Sequence, residues 1–270
     1  MSKKQRNTML IIFAVIAAIL LVGIFTTAGN VEDEESIQVV MRDAVLHDVF
    51  KVNVLGMEVN PGLVAGFIVT GILALFALIV RIFVIPRFTA VPGRFQLILE
   101  TMVGFFDNLA KSNSPRINNL LGGYIFAAGL YIFTGTMFEL FGFQVIATNG
   151  ASISLPAPLS DINGAIMMGC TSYLFIMTGG IASNGIRGVF KTLKEFSLPI
   201  SMSFRLFGAL LSGALVTELV YYYFALSFVL PVVVGVMFTC LHALIQAYVL
   251  TMLVSLFYGE VSAKKEDELE

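Results

Sequence analysis

Six apolar runs, near residues 9–25, 63–84, 120–143, 165–181, 198–226 and 228–256, leave this 270-residue chain few ways to fold. A helix needs about 20 apolar residues to cross a hydrocarbon core roughly 30 Å thick. Inside that core every backbone N–H and C=O has to be satisfied within the segment, which helices do and irregular chain does not. With 57% hydrophobic and 13% charged residues, little material remains for a soluble domain. The expected fold is an all-α polytopic membrane protein, with about five transmembrane helices after an N-terminal apolar segment.

The first run follows Lys3, Lys4 and Arg6, the flanks of a retained signal anchor or of a signal peptide cleaved near Thr26 and Ala28. Residues 1–30 are read as that segment and 31–60 as a solvated extracytoplasmic connection. Residues 61–260 are read as the membrane domain and 261–270 as a charged cytoplasmic tail. Pro86 is expected to stop the helix of the second run. After Pro92 and Gly93, Gln96, Glu100, Asp107 and Lys111 share one helical face, with Phe95, Leu99, Met102, Val103 and Phe106 on the other. That pattern predicts an amphipathic helix lying in the membrane interface. Lysine and arginine are retained on the cytoplasmic side. Arg81, Arg87, Arg94, Lys111, Arg116, Arg187, Lys191, Lys194, Lys264 and Lys265 fall together when the C-terminus is cytoplasmic, leaving Arg42 and Lys51 outside.

A formal charge of −2 with scattered basic residues gives no reason to expect a nucleic-acid partner. No Gly-rich loop ending in Lys-Ser/Thr is present to hold a nucleotide phosphate. Cys170 and Cys240 lie in apolar runs and read as small buried hydrophobes, so neither a metal nor a redox cofactor is expected.

Against this apolar background a few residues stand out. Arg205 lies inside an apolar run, where a central arginine costs at least ~2.5–3.5 kcal/mol. It cannot neutralise, so it has to face a carboxylate or water, or else snorkel to the near membrane surface. Ser201, Gly208, Ala209, Ser212 and Gly213 fall near its face, small enough for another helix to approach, from this chain or from a partner. Glu218 is about 20 Å further along the same helix. Thr136 and Glu139 sit near the outer end of another span, and Asp161 and Asn163 open the next, where Asp161 is alternatively an N-cap. Acidic and polar groups at the outer ends of separate helices could make a hydrated entry path for cations. His242 and Gln246 share a face of the last helix, and Gln246 offers both donor and acceptor to an arginine, a carboxylate or a neighbouring helix. Tyr221, Tyr222 and Tyr223 read as an interfacial aromatic belt.

The stretch from Pro199 through Ser201, Phe204, Arg205 and Leu206 to Gly208 resembles the signature of subunit a of rotary F-type ATP synthases. The order is kept by Val91-Pro92-Gly93, by Ser160 to Asn163, by Leu244 to Leu250 around Gln246, and by Tyr258-Gly259-Glu260. The resemblance implies a non-catalytic, multi-pass subunit of a bacterial plasma (inner) membrane. It implies two long, tilted C-terminal helices standing beside a ring of c subunits. A b-type peripheral stalk, the F1 ATPase sector and membrane lipid are the other implied partners. Arg205 would face the ring carboxylate between two half-channels for protons or sodium ions, with Gln246 as its polar partner. Glu139, Thr136, Asp161 and Asn163 would lie near the outer half-channel. This chain departs from the family pattern at Ala209, where asparagine is usual, and at Ala214, where Glu218 or His242 would compensate. Its connection over residues 181–199 also looks short. The competing function is a secondary transporter or channel that binds an anionic substrate at Arg205, but no internal repeat of the kind such folds carry is evident.

Overall fold

The computed structural model describes residues 51–222 apart from 55, 115–118, 149 and 151, residues 230–263, and isolated positions before residue 40. Among these residues five helices are long and apolar enough to span a membrane. Much of the N-terminal run, and Tyr223, lie outside the described residues, as do Arg42, Arg116, Lys264 and Lys265.

Helix α1 (Pro61–Ile79) starts where Asn60 caps it, its side-chain oxygen accepting from Gly62 N at 2.8 Å, with Pro61 supplying the preset φ of a first helical turn. The α-helix ends before the expected stop at Pro86. It widens into a π turn at Val80–Val84 and tightens into a 3-10 turn at Ile85–Arg87. The proline ring lacks an N–H and crowds the carbonyl four residues back, so regular α geometry fails one turn upstream.

Helix α2 (Arg94–Asn113) folds against α3 (Asn119–Phe138). Phe95, Met102 and Val103 are exposed, whereas Asp107 is half-buried and turned toward α3, where a Cβ on Gly122 would stand 3.6 Å from its Oδ1. Lys111 pairs with Asp107 one turn away, which lets the carboxylate sit at a helix contact. Phe106 packs into α3, with its ring 5.6 Å from that of Phe126.

The extramembrane connections are more ordered than the sequence implied. β1 (Val52–Val54) pairs antiparallel with β2 (Met57–Val59), and β3 (Gln144–Ile146) with β4 (Ser152–Ser154). The backbone N–H of Thr148 donates to Lys51 O at 2.9 Å and ties the two hairpins together.

Helix α4 (Ile162–Asn184) turns at Gly185, whose φ of +57° suits glycine, into the short α5 (Ile186–Leu193). The α5 helix runs back along α4. The backbones of Gly180 and Gly188 touch with no room for a side chain, and the Tyr173 hydroxyl donates to Thr192 O at 3.1 Å. The connection that looked short is therefore a packed helix. Two long helices follow, α6 (Ser197–Tyr222) and α7 (Leu230–Ser262). At 1.5 Å per residue α7 is about 50 Å long, more than a bilayer core is thick, and such excess is taken up by tilting.

The chain divides into two compact units, one of residues 50–210 and 240–270, the other of residues 1–49 and 211–239. The larger unit has a continuous core that includes Leu121, Ile125, Ile176, Met202, Leu206 and Val254. Tyr124, Phe175 and Tyr258 stack within it, with centroids 4.0 and 5.4 Å apart, and the Tyr258 ring lies over Gly179. Near one end polar bonds clasp α7. Asn113 Nδ2 donates to Ser255 Oγ at 3.0 Å, Ser255 Oγ to Leu109 O at 3.0 Å, and Asn184 Nδ2 to Val261 O at 3.0 Å. The smaller unit holds the second part of α6 and the first part of α7, where Thr217 Oγ1 donates to Gly213 O at 3.0 Å.

Both cysteines are free, but neither is buried as expected: Cys170 is exposed and Cys240 half-buried. An apolar run in a bilayer can put a cysteine on the lipid side as readily as in the core, because lipid and core are equally apolar.

Candidate functional site

Helix α6 sets one face against the core and leaves the other bare. Leu198, Met202, Leu206 and Leu210, spaced four residues apart, point inward and are at most 8% exposed. Away from that face Ser201, Arg205, Gly208 and Ser212 are exposed, and Ala209 is half-buried. A Cβ placed on Gly208 would meet nothing within 4 Å. The small residues beside the arginine are thus not spent on packing within this chain at Ser201 and Gly208. Arg205 has no ion-pair or hydrogen-bond partner among the described residues.

The position of α6 is set by Gly169. A side chain there would collide with Ser203 Oγ and stand 2.8 Å from Pro199 O, so the two backbones cross in close contact. Ser203 Oγ donates to Pro199 O at 2.6 Å, which removes its own polar demand at the crossing. Gly169 is about 10 Å from the start of α4 and about 22 Å from its end, at 1.5 Å per residue. Because α5 doubles back along α4, α6 begins well inside that helix's length. Arg205, six residues beyond Pro199, is accordingly far from the end of α4 that leads into Arg187 of α5.

Gln246 lies midway along α7 on its buried face, 7% exposed, beside Ala243, Ala247 and Leu250. Its Oε1 has no hydrogen-bond partner. The structure does not join it to Arg205, which faces away from the core. His242, one turn earlier, is half-buried. Among the described residues the buried side-chain oxygens without a partner are Gln246 Oε1 and Thr136 Oγ1. Leaving such a group unsatisfied costs about 1–3 kcal/mol, so each one asks for an explanation.

Thr136 is 1% exposed near the end of α3. Glu139 opens the 3-10 turn Glu139–Phe141 that follows, and it is exposed. Asp161 occupies the N-cap position of α4, yet its side chain makes no capping bond. The capping alternative therefore does not account for it. Asn163 Nδ2 reaches Asp161 Oδ1 at 3.5 Å, the limit of a hydrogen bond. Pro158 draws these elements together: Cβ atoms on Gly135 of α3 and Gly66 of α1 would lie 3.5 and 3.8 Å from it. Thr136, Glu139, Asp161 and Asn163 therefore collect at one end of the larger unit. Glu218 is half-buried on the part of α6 that belongs to the smaller unit.

Sequence reasoning passed over Gly169, Ser203 and the bond between Tyr124 and Ser172 at 2.9 Å. The available signal was the glycine itself, a small residue in mid-span where close helix approach is the usual reason.

The family model described as ATP synthase A chain matches residues 63–259. Curated relatives named ATP synthase subunit a agree with it. The one from Cereibacter sphaeroides is 24% identical over 63% of this chain and 70% of its own length. That from Histophilus somni is 24% identical over 66% of this chain and 80% of its own. That from Actinobacillus pleuropneumoniae is 25% identical over 72% and 87%. Five membrane-spanning helices, an arginine on an uncovered helix face and a family match across most of the chain lead to one assignment: the chain belongs to the ATP synthase A chain family, subunit a of the membrane sector of F-type ATP synthases.

Proposed function

We propose that this subunit carries protons or sodium ions between the membrane surfaces and a ring of c subunits, with Arg205 as the fixed charge that separates two half-channels. The observation that carries this reading is the bare face of α6, where Arg205, without a partner among the described residues, is flanked by Ser201 and Gly208. A carboxylate brought past that face meets a permanent positive charge, which favours its ionised form and releases its cation. The same charge repels a cation moving directly from one path to the other, so the ion has to travel with the ring. Nucleotide chemistry belongs to the F1 sector, reached through the ring and a b-type stalk.

Two buried, unpartnered oxygens support a path through the interior. Gln246 Oε1 and Thr136 Oγ1 are suited to hold water or an ion in transit, which would satisfy them. Glu139, Asp161 and Asn163 form the outer mouth in this reading, Glu218 extends it along α6, and His242 adds a polar group one turn from Gln246. The basic residues Arg87, Arg94, Lys111 and Arg187 mark the cytoplasmic side, with the C-terminus on that side.

Cysteine cross-linking in the assembled complex tests the ring face. Ser201→Cys and Gly208→Cys are expected to cross-link to cysteines on the ring subunit, and Met202→Cys and Leu206→Cys are not. The reverse pattern would place the ring elsewhere.

A further inference from the structure

Between α2, α3 and α7 runs an apolar groove of about 790 Å³, walled by Leu97, Phe105, Gly129, Phe133, Leu244 and Tyr248. That volume falls among those of small-molecule sites. The wall offers almost nothing to a polar ligand, since the Thr101 hydroxyl already donates to Leu97 O at 2.7 Å. Gly129 forms part of the floor, where a Cβ would press on the Phe106 ring and on Thr251 at 3.0 Å.

One end of the groove is charged. Arg94, the first residue of α2, stands three, four, seven and eleven residues before Leu97, Ile98, Thr101 and Phe105, and so lies on the same helical stripe. It is exposed, with no ion-pair or hydrogen-bond partner among the described residues. The other charged groups of α2 have polar partners along the helix: Gln96 Nε2 donates to Glu100 at 2.7 Å, and Lys111 pairs with Asp107. A long apolar trough that ends on an unmatched cation, in a chain that spans a membrane, is complementary to an anionic amphiphile. We infer that the groove binds one acyl chain of an anionic phospholipid whose headgroup is held by Arg94.

The test uses the whole ATP synthase complex in nanodiscs containing trace phospholipid with a diazirine in its acyl chain, as phosphatidylglycerol or as phosphatidylcholine. Labelled peptides are then mapped. The phosphatidylglycerol probe is expected to label residues 97–105 and 244–248 above the exposed Leu75 and Leu78 of α1, with a roughly fivefold preference over phosphatidylcholine. Arg94→Glu should remove that preference without altering the labelling of α1, and Ile98→Trp should lower groove labelling by both probes. Groove labelling no stronger than that of α1 would overturn the proposal. So would equal labelling by the two lipids in the wild type, or labelling excluded by a partner subunit's helix found seated in the groove.

Discussion

At the scale of single residues, Arg205 and Gln246 represent opposite uses of polarity. Arg205 is a charge on an uncovered face, and Gln246 is a neutral amide sealed in the core with its carbonyl unsatisfied. Replacing the glutamine by leucine, similar in volume, removes an unsatisfied group that costs about 1–3 kcal/mol. Gln246→Leu should therefore leave the complex at least as resistant to heat or detergent, while ATP-driven pumping falls but persists. Thermal stability and pumping measured on the same preparation check this. A destabilised complex with unaltered pumping would show that the amide serves packing rather than the ion path. The two residues differ in how they could be read from sequence. A charged residue in an apolar run stands out at once, whereas the burial of Gln246 depends on which side of α7 meets the core.

At the scale of elements, the position of α6 depends on a single glycine. Gly169 lets the backbone at Pro199 and Ser203 approach without an intervening side chain. Gly169→Val would drive two methyl groups into that crossing, and overpacking of this kind destabilises by about 1–3 kcal/mol. The expected outcome is less subunit in the membrane and less assembled complex, read by blotting and native gels, with Gly208→Ala as a tolerated control because its surroundings are open. Normal assembly with Gly169→Val would mean that the helices do not cross there. The spans were legible in the sequence because length and hydropathy define them. Three features were not: which residues of α2 meet α3, the reversal of α5 and the hairpins β1–β2 and β3–β4. In a bilayer the outward side of a helix is as apolar as the inward side, so periodicity carries little information about packing. Phe95 and Val103, on the apolar side expected to meet the membrane, are exposed, and Asp107 of the polar side lies at the contact with α3. The α5 reversal rests on Gly180 meeting Gly188, a pairing between elements that no local pattern announces.

At the scale of the whole molecule, the alternation of spans puts Lys51 and Glu58, which pair across the first hairpin at 3.8 Å, at the opposite membrane side from Lys194. In a variant lacking Cys170 and Cys240, Glu58→Cys should react with an impermeant maleimide only from the periplasmic side, and Lys194→Cys only from the cytoplasmic side. Labelling of both from one side would refute the topology. The clasp of α7 by Asn113 and Asn184 and the crossing of α6 over α4 leave the arginine face bare, and a ring could then run along it. The most direct measurement is ATP-driven ion pumping by inverted membrane vesicles that carry Arg205→Ala, alongside the amount of assembled complex. With Arg205 as the fixed charge between two ion paths, assembly is retained and pumping falls to no more than about a tenth of wild type, a loss of at least about 1.4 kcal/mol in the coupled step. Pumping near the wild-type rate in that variant would contradict the account.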